Sequence, residues 1–304
     1  MPSTVDVHAA EQFITRSARV LDRRRYACSF KNGSADAVVE ALRPYQNPDG
    51  GFGWALEPDT RGSASQPGHV QAAVQILEEV GRCGGPMVEA TVGYLASVTA
   101  ESGGVPFALP SIREDPRAPW LEFAEGPPAA GLLPTAGIVG RLRAAGFEHP
   151  WVGPAERFCW QEIEALTISQ IHPYAVLGCL AFLDRAPGHP RAEAQADRLG
   201  EMVREARMVL LDPSAPDTVV ISPGYAPGEV HTPLDYAPTP TSLARRWFSD
   251  REIALALDAL AAAQDADGGW RFNWRDWNPA SGWEWRGVVT IQALSTLRAY
   301  DRLA

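Results

Sequence analysis

The sequence predicts an all-α protein built from repeated helical hairpins. Apolar residues recur at spacings of three and four, as in Val38, Ala41 and Leu42, which is typical of an amphipathic helix. No segment has comparable support for a β-strand. Gly pairs follow two of the helices, and glycine ends a helix readily because it adopts positive φ. The predicted helices span residues 8–24, 35–46, 67–81, 86–99, 130–146, 151–165, 170–185, 190–210, 250–264 and 286–302.

One motif around a Gly pair occurs twice. Residues 42–54 read LRPYQNPDGGFGW, and residues 260–270 read LAAAQDADGGW, with a weaker third copy, SGGVPF, at 102–107. Helix pairs joined by short, repeated turns are typical of repeat architectures. The hairpins therefore form either a closed ring or an open solenoid.

Composition limits the classes of partner. The 304 residues carry a formal charge of −10, which argues against nucleic acid as the main partner. No apolar run approaches the roughly 20 residues of a membrane span, and residues 1–6 lack the features of a signal peptide. The four cysteines are isolated, as expected of free thiols in a reducing compartment. We expect a cytoplasmic protein with one domain over residues 1–304 and no transmembrane segment.

Residues 212–249 form the exception to the helical pattern, with seven prolines and interspersed aromatic residues. A loop this long in a compact domain is usually functional or disordered. The aromatic residues favour an ordered loop, which we expect to cover a cavity.

The two motifs support a resemblance to a known superfamily. Gln264 to Trp270 has the form of the QW motif of squalene–hopene cyclase-like proteins. Asp49 to Gly53, followed by an Ala-rich helix from Val70, resembles the β subunit of protein prenyltransferases. The resemblance implies an α/α toroid of about five to six helical hairpins. It also implies an inner set of helices at 8–24, 67–81, 130–146, 170–185 and 286–302.

The catalytic motifs of that superfamily are absent. We find no Asp-x-Asp-Asp sequence, no Asp-rich metal motif, and no His or Cys in the last predicted inner helix. We therefore expect no metal and no cofactor.

Glu57 and Asp59 are the first catalytic candidates. They lie two residues apart on the loop that enters the helix at 67–81. Burial beside Trp54 would raise a carboxyl pKa and create a general acid. Alternatively, Asp59 caps a turn and Glu57 forms an ion pair with Arg61 or Arg286.

His69 and His172 each fall in the first turn of a predicted inner helix. The positive end of the helix dipole would keep both imidazoles neutral, as bases or hydrogen-bonding groups. A structural role is the alternative. In the Pro-rich segment, His231 and Asp235 can form an acid–base pair, or Asp235 caps a turn and the loop plugs the ring.

Five tryptophans lie between residues 270 and 285, and aromatic faces stabilise a carbocation by roughly 0.5–2 kcal/mol each. We expect about two of them to face a cavity. Asp59, Glu57, Asp235 and His69 are the catalytic candidates. The expected substrate-binding residues are Trp54, His172, Tyr174, His231, Tyr236, Trp283, Glu284, Trp285 and Arg286.

Three functions remain open. The resemblance implies an enzyme that cyclises or isomerises a hydrophobic isoprenoid by protonation in an aromatic-lined cavity. A glycan lyase or hydrolase on an α/α toroid would instead need an open, polar cleft with paired carboxylates. A non-catalytic toroid would bind a lipid or a protein. Oligomeric state does not follow from the sequence.

Overall fold

The protein is all-helical in its computed structural model, which describes residues 5–121, 126–186 and 188–303. Within these ranges there is no β-strand, only isolated bridges between Gln46 and Phe52 and between Thr60 and Arg117. The predicted fold class is confirmed, and the arrangement is compatible with an α/α toroid. Residues 1–4, on which the signal-peptide expectation partly rests, lie outside the described residues. The helices are α1 (Val7–Ser17), α2 (Val20–Phe30), α3 (Ala35–Leu42), α4 (Pro67–Glu79), α5 (Pro86–Ser97), α6 (Leu132–Ala144), α7 (Val152–Ala165), α8 (Pro173–Leu183), α9 (Pro190–Glu205), α10 (Pro233–Tyr236), α11 (Asp250–Ala262) and α12 (Pro279–Ala299).

Inner and outer helices alternate along the chain. Side chains of α2, α4, α6, α8 and α12 line a central cavity, whereas the described residues of the odd-numbered helices contribute none to its wall. Neighbouring inner helices pack side by side, α4 on α6, α6 on α8, and α2 on α12. The short α10 packs against α8 and α11.

The Gly-pair motifs form one repeated turn. In the first copy the Asn47 N–H donates to Gly51 O and the Gly50 N–H donates to Asn47 O, at 2.8 and 2.9 Å. The equivalent bonds of the second copy, between residues 265, 268 and 269, are both 2.8 Å. The weak copy makes the same pair of bonds between residues 100, 103 and 104, at 2.9 Å each. All three segments are therefore structural repeats.

Each strong copy also attaches to the start of the next outer helix. The Gln46 side-chain amide donates to Gly50 O within the turn and to Met87 O in the first turn of α5, at 3.1 and 3.0 Å. The equivalent Gln264 donates to Gly268 O and to Asp6 O, both at 2.9 Å, and accepts from the Asp6 N–H at 2.8 Å. Asp6 caps α1, so the last copy joins the two ends of the ring.

The prediction of one inner helix over 8–24 is wrong. Ala18 and Arg19 are extended, with ψ near 158° and 155°, so α1 ends at Ser17 and α2 begins at Val20. Because the second Gly-pair turn attaches to α1 as the first attaches to α5, α1 is an outer helix, and α2 takes the inner position. The last helix also starts earlier than predicted, because Asn278 caps it through a bond from the Ala280 N–H and Pro279 fits the first helical position.

The Pro-rich segment is ordered. It contains α10 and two short 3₁₀ turns, Pro216–Thr218 and Leu243–Trp247. The Tyr236 hydroxyl donates to Met208 O at 3.0 Å, and the Leu243 N–H donates to the Asp184 carboxylate at 2.8 Å. None of the helices in the described part of the chain has the length and apolar character needed to cross a lipid bilayer.

Candidate functional site

The inner helices surround a cavity of about 1260 Å³. This volume lies slightly above the usual range for small-molecule sites. Trp120 and Arg275 line the cavity and are also exposed, so they mark its opening. Six aromatic side chains contribute to the wall: Phe107, Trp120, Tyr174, Tyr225, Trp274 and Trp285.

Residues 57–60, here called the acid loop, connect the first Gly-pair turn to α4 and contribute two carboxyl groups to the cavity wall. Arg19 donates to the carbonyl oxygens of Ala55 and Leu56, at 3.1 and 2.9 Å, just before the acid loop. Arg19 is itself held by an ion pair with Asp22, with 2.7 Å between Arg19 Nε and Asp22 Oδ2. Arg19, which lies at the break between α1 and α2, is therefore the cation that positions the acid loop.

His69 lies behind the acid loop, fully buried, and does not line the cavity. The Glu57 backbone N–H donates to its Nδ1 at 2.8 Å, so Nδ1 must be the unprotonated nitrogen. Nε2 then carries the hydrogen and donates to the Thr60 hydroxyl at 2.8 Å. Burial is the main cause that lowers the His69 pKa to about 3, with the Arg19 charge second. These causes favour the neutral imidazole.

Glu57 is arranged to hold a proton near neutral pH. Burial, followed by the charge of Asp59, raises its pKa to about 8. Its Oε2 accepts the Asp59 N–H at 3.1 Å and lies 3.3 Å from the Thr60 hydroxyl. Because that hydroxyl accepts the hydrogen of His69 Nε2, its own hydrogen is available to donate to Oε2. Both donors face Oε2, so the acid proton of Glu57 belongs on Oε1.

Asp59 is held by the start of α12. Its Oδ1 accepts from the Trp277 indole at 2.8 Å and from the Ser281 hydroxyl at 3.2 Å. Burial raises the Asp59 pKa, and the hydrogen bonds from Trp277 and Ser281 oppose that increase. Asp59 therefore places a negative charge beside Glu57, which is the second cause, after burial, that raises the pKa of that carboxyl.

The other wall of the cavity is formed by the start of α8 and the Pro-rich segment. His172 caps α8 by accepting the Tyr174 N–H at 3.4 Å, and both residues line the cavity with Tyr225 and Glu229. His231 lies behind them, 2.7 Å from the Tyr225 hydroxyl, and its ring contacts Tyr174. The segment expected to cover a cavity thus contributes directly to its wall, through residues 223–227 and Glu229.

The structure places two predicted residues at the surface. The side chains of Trp54 and Trp283 are 56% and 51% exposed. The Trp54 indole donates to Asn47 within the first Gly-pair turn, so it does not bury Glu57 as predicted. Trp283 stacks on Phe13.

Arg286, Glu284 and Asp235, which we expected to act at the cavity, are held elsewhere. Arg286 makes a bidentate ion pair with Asp267 of the second Gly-pair turn, at 2.8 and 2.7 Å. Glu284 pairs with Arg61, so neither Arg61 nor Arg286 is the partner of Glu57.

Asp235 forms a capping box with Thr232 at the start of α10. The neighbouring Tyr236 is buried. None of Arg286, Glu284, Asp235 and Tyr236 is among the residues that line the cavity.

Glu57, Asp59, His172, Tyr174 and Trp285 are the predicted residues that the structure brings together around the cavity. Of the five clustered tryptophans, Trp274 and Trp285 line the wall, with their ring centres 5.0 Å apart. The sequence reasoning missed Arg19, Tyr225, Glu229 and Arg275. Tyr225 and Glu229 flank Pro227 in a segment without periodicity, so only its aromatic content marked it. Among the described residues, no group of three or more His, Cys, Asp or Glu side chains is arranged to hold a metal ion.

The chain is distantly similar to one curated enzyme. It is 28% identical to a drimenyl diphosphate synthase from Streptantibioticus cattleyicolor in an alignment of 254 residues, which covers 77% of this chain. The chain spans about two fifths (41%) of that relative's length. No protein-family model matches the sequence.

The fold is also found in a solved structure. A protein from Actinoplanes superposes with a TM-score of 0.52 and 16% sequence identity, covering 97% of this chain and 92% of that one. At this identity the similarity concerns the fold alone.

Proposed function

We propose that this protein cyclises or isomerises an isoprenoid diphosphate by protonating a carbon–carbon double bond inside the cavity. The observation that carries the proposal is a carboxyl group, Glu57, with a pKa of about 8, in the wall of an aromatic-lined cavity. A carboxyl group that remains protonated at neutral pH acts as a general acid. The distant similarity to a drimenyl diphosphate synthase supports a terpenoid-related substrate.

The wall suits a reaction that passes through carbocations. The faces of Trp274, Trp285 and Phe107 offer electron density that stabilises a cation by roughly 0.5–2 kcal/mol each when water is excluded. Asp59, with its negative charge beside Glu57, remains as a counter-charge after the proton has left. These features favour an isoprenoid over a glycan, for which a more polar cleft is expected.

The proposal is tested by incubating the protein with geranyl, farnesyl and geranylgeranyl diphosphates and separating the products by mass spectrometry. Protonation and cyclisation without loss of diphosphate gives a product with the mass of the substrate and a different retention time. If none of the three is converted, although circular dichroism shows a folded protein, the proposal fails.

The pH dependence of the rate is the first prediction. The reaction needs protonated Glu57, so kcat is expected to be constant below pH 8 and to fall about tenfold per pH unit above it. Asp59→Asn removes a charge that raises the Glu57 pKa, so the alkaline limb is expected to move to lower pH. Rate profiles between pH 6 and 10 measure both. An alkaline limb at the same pH in the two proteins would show that the Asp59 charge does not act on the acid.

Arg275 is the residue that we expect to hold the diphosphate. It lines the opening and forms no ion pair within the described residues, whereas Arg19 and Arg25 are held by carboxylates. Arg275→Ala removes a charged hydrogen bond worth about 1.5–3 kcal/mol, so KM is expected to rise about 10–100-fold with little change in kcat. Arg271→Ala is the matched control, because Arg271 is exposed and does not line the cavity. An equal rise in KM for both variants would contradict the assignment.

A further inference from the structure

The proposed reaction consumes a proton that the protein must recover. Glu57 gives a proton to the substrate, and a cation that is not captured by water ends only when a base removes a proton from a neighbouring carbon. Such a base must reach the cavity, accept a proton and keep an oxygen or nitrogen atom free for it. Since the inference concerns the last step of the same reaction, it rests on the proposed function.

Most groups of the wall cannot take this role. Arginines carry no acceptor atom, and burial raises the pKa of the Tyr174 and Tyr225 phenols, which stay neutral. His172 offers no free acceptor, since its Nδ1 accepts the Tyr174 N–H at 3.4 Å and the other nitrogen of the neutral ring then carries the hydrogen. Asp59 accepts two hydrogen bonds on Oδ1 and lies beside the acid itself, where its charge serves as the counter-charge after the proton has left.

Glu229 meets the requirements. It is 7% exposed and lines the cavity, in the Pro-rich segment that faces the inner helices. Its Oε2 accepts the Ala226 N–H at 2.9 Å, which fixes the side chain in its turn. Its Oε1 has only a long contact, 3.5 Å to the Tyr174 hydroxyl. One oxygen therefore positions the carboxylate, and the other is available for a proton.

Tyr174 lies beside this carboxylate in the cavity wall, with its hydroxyl 3.5 Å from Glu229 Oε1. Burial raises the pKa of its phenol, and the charges of Glu229, Asp235 and Asp59 raise it further. The cavity thus has an acid on the loop before α4 and a second carboxylate on the Pro-rich segment.

We propose that Glu229 is the general base that ends the reaction. The double bond of the substrate forms a C–H bond with the proton from Glu57 Oε1, and the cation moves through the ring-forming steps. Glu229 Oε1 then removes a proton from a carbon next to the cation, and the electron pair of that C–H bond becomes a new double bond. The product is an isomer of the substrate, and exchange with solvent returns the proton to Glu57.

The test compares the wild type with Glu229→Gln on a prenyl diphosphate that the wild type converts. Glutamine keeps an acceptor for the Ala226 N–H and lacks the basic oxygen. We expect the isomeric product to form about 10²-fold more slowly and the share of a product heavier by one water to rise, since water then captures the cation. Asp217→Asn is the matched control, because Asp217 is an exposed carboxylate of the same segment that does not line the cavity.

A second variant separates chemistry from structure. Glu229→Ala leaves space for a small carboxylate, so added formate is expected to restore the isomeric product at least tenfold, which a purely structural defect would not allow. A product profile and rate in Glu229→Gln equal to the wild type would overturn the assignment of the base alone. If the wild type converts none of the prenyl diphosphates, the proposed function fails, and the inference fails with it.

Discussion

Replacing Glu57 with glutamine is expected to reduce product formation by about 10²–10⁴-fold. The amide has nearly the same shape as the carboxyl group and still accepts the Asp59 N–H, but it has no acidic proton to give. Substrate binding should change little, so the loss is expected in kcat. The rate is measured with the prenyl diphosphate that the wild type converts best.

The control for this variant is Glu40→Gln, which changes an exposed carboxylate on the surface of α3. The expected order is wild type equal to Glu40→Gln, with Glu57→Gln far below both. Retention of more than a tenth of the wild-type kcat by Glu57→Gln would remove Glu57 as the acid.

Stability provides an independent measurement on the same protein. The pKa of Glu57 rises from an ordinary value of 4.5 to about 8 on folding, so its contribution to stability is fully present below pH 4.5 and is lost as pH rises through 8. Glutamine stays neutral throughout. Glu57→Gln should therefore unfold at higher denaturant concentration than the wild type at pH 9, and the difference should shrink towards pH 5.

Alanine at the first glycine of either strong turn is expected to destabilise the protein by at least ~3 kcal/mol. Gly268 has φ +91°, and a Cβ atom there would lie 2.2 Å from the backbone oxygen of Ala9. Gly50 has φ +87°, with Ala90 O at the same 2.2 Å. Both substitutions combine backbone strain with a collision against another helix, which cannot move without opening the turn. Chemical denaturation of Gly268→Ala and Gly50→Ala measures the loss.

Two further glycines separate these effects. Gly81 has φ +65° with nothing within 4 Å of the added carbon, so Gly81→Ala should show the cost of the backbone conformation alone, on the order of 1 kcal/mol. Gly93 lies exposed in α5 with open space around it, so Gly93→Ala should be neutral or slightly stabilising. If Gly268→Ala costs no more than Gly81→Ala, the close approach to α1 does not contribute.

The sequence predicted the helices well because the decisive signals are local. Apolar periodicity identifies the helices, and the Gly-pair turns mark the ends of some of them, wherever they lie in the fold. The break at Ala18 and Arg19 has no such signal, because neither glycine nor proline is present there. Its extended backbone places Arg19 next to the acid loop, against carbonyl groups that lie 36 and 37 positions further along the chain.

The candidate site was predicted in part for a similar reason. Glu57 and Asp59 lie between two recognisable elements, so their position followed from the chain order. How deeply a side chain is buried does not follow from the chain order. His69 was expected in catalysis and Arg286 in substrate binding, although His69 lies behind the acid loop and Arg286 is paired with Asp267. Glu229 had no pattern at all, because the Pro-rich segment owes its course to contacts with distant residues.

The joint between Gln264 and Asp6 has a consequence for how the molecule folds. It links residues 258 positions apart, and forming such a contact requires the whole intervening chain to be roughly in place. An open array of repeats can lose its last unit and keep the others, whereas here an end that detaches exposes the inner wall to water. Unfolding is therefore expected to be a single cooperative transition, in which α1 and the second Gly-pair turn separate only when the whole ring of helices unfolds.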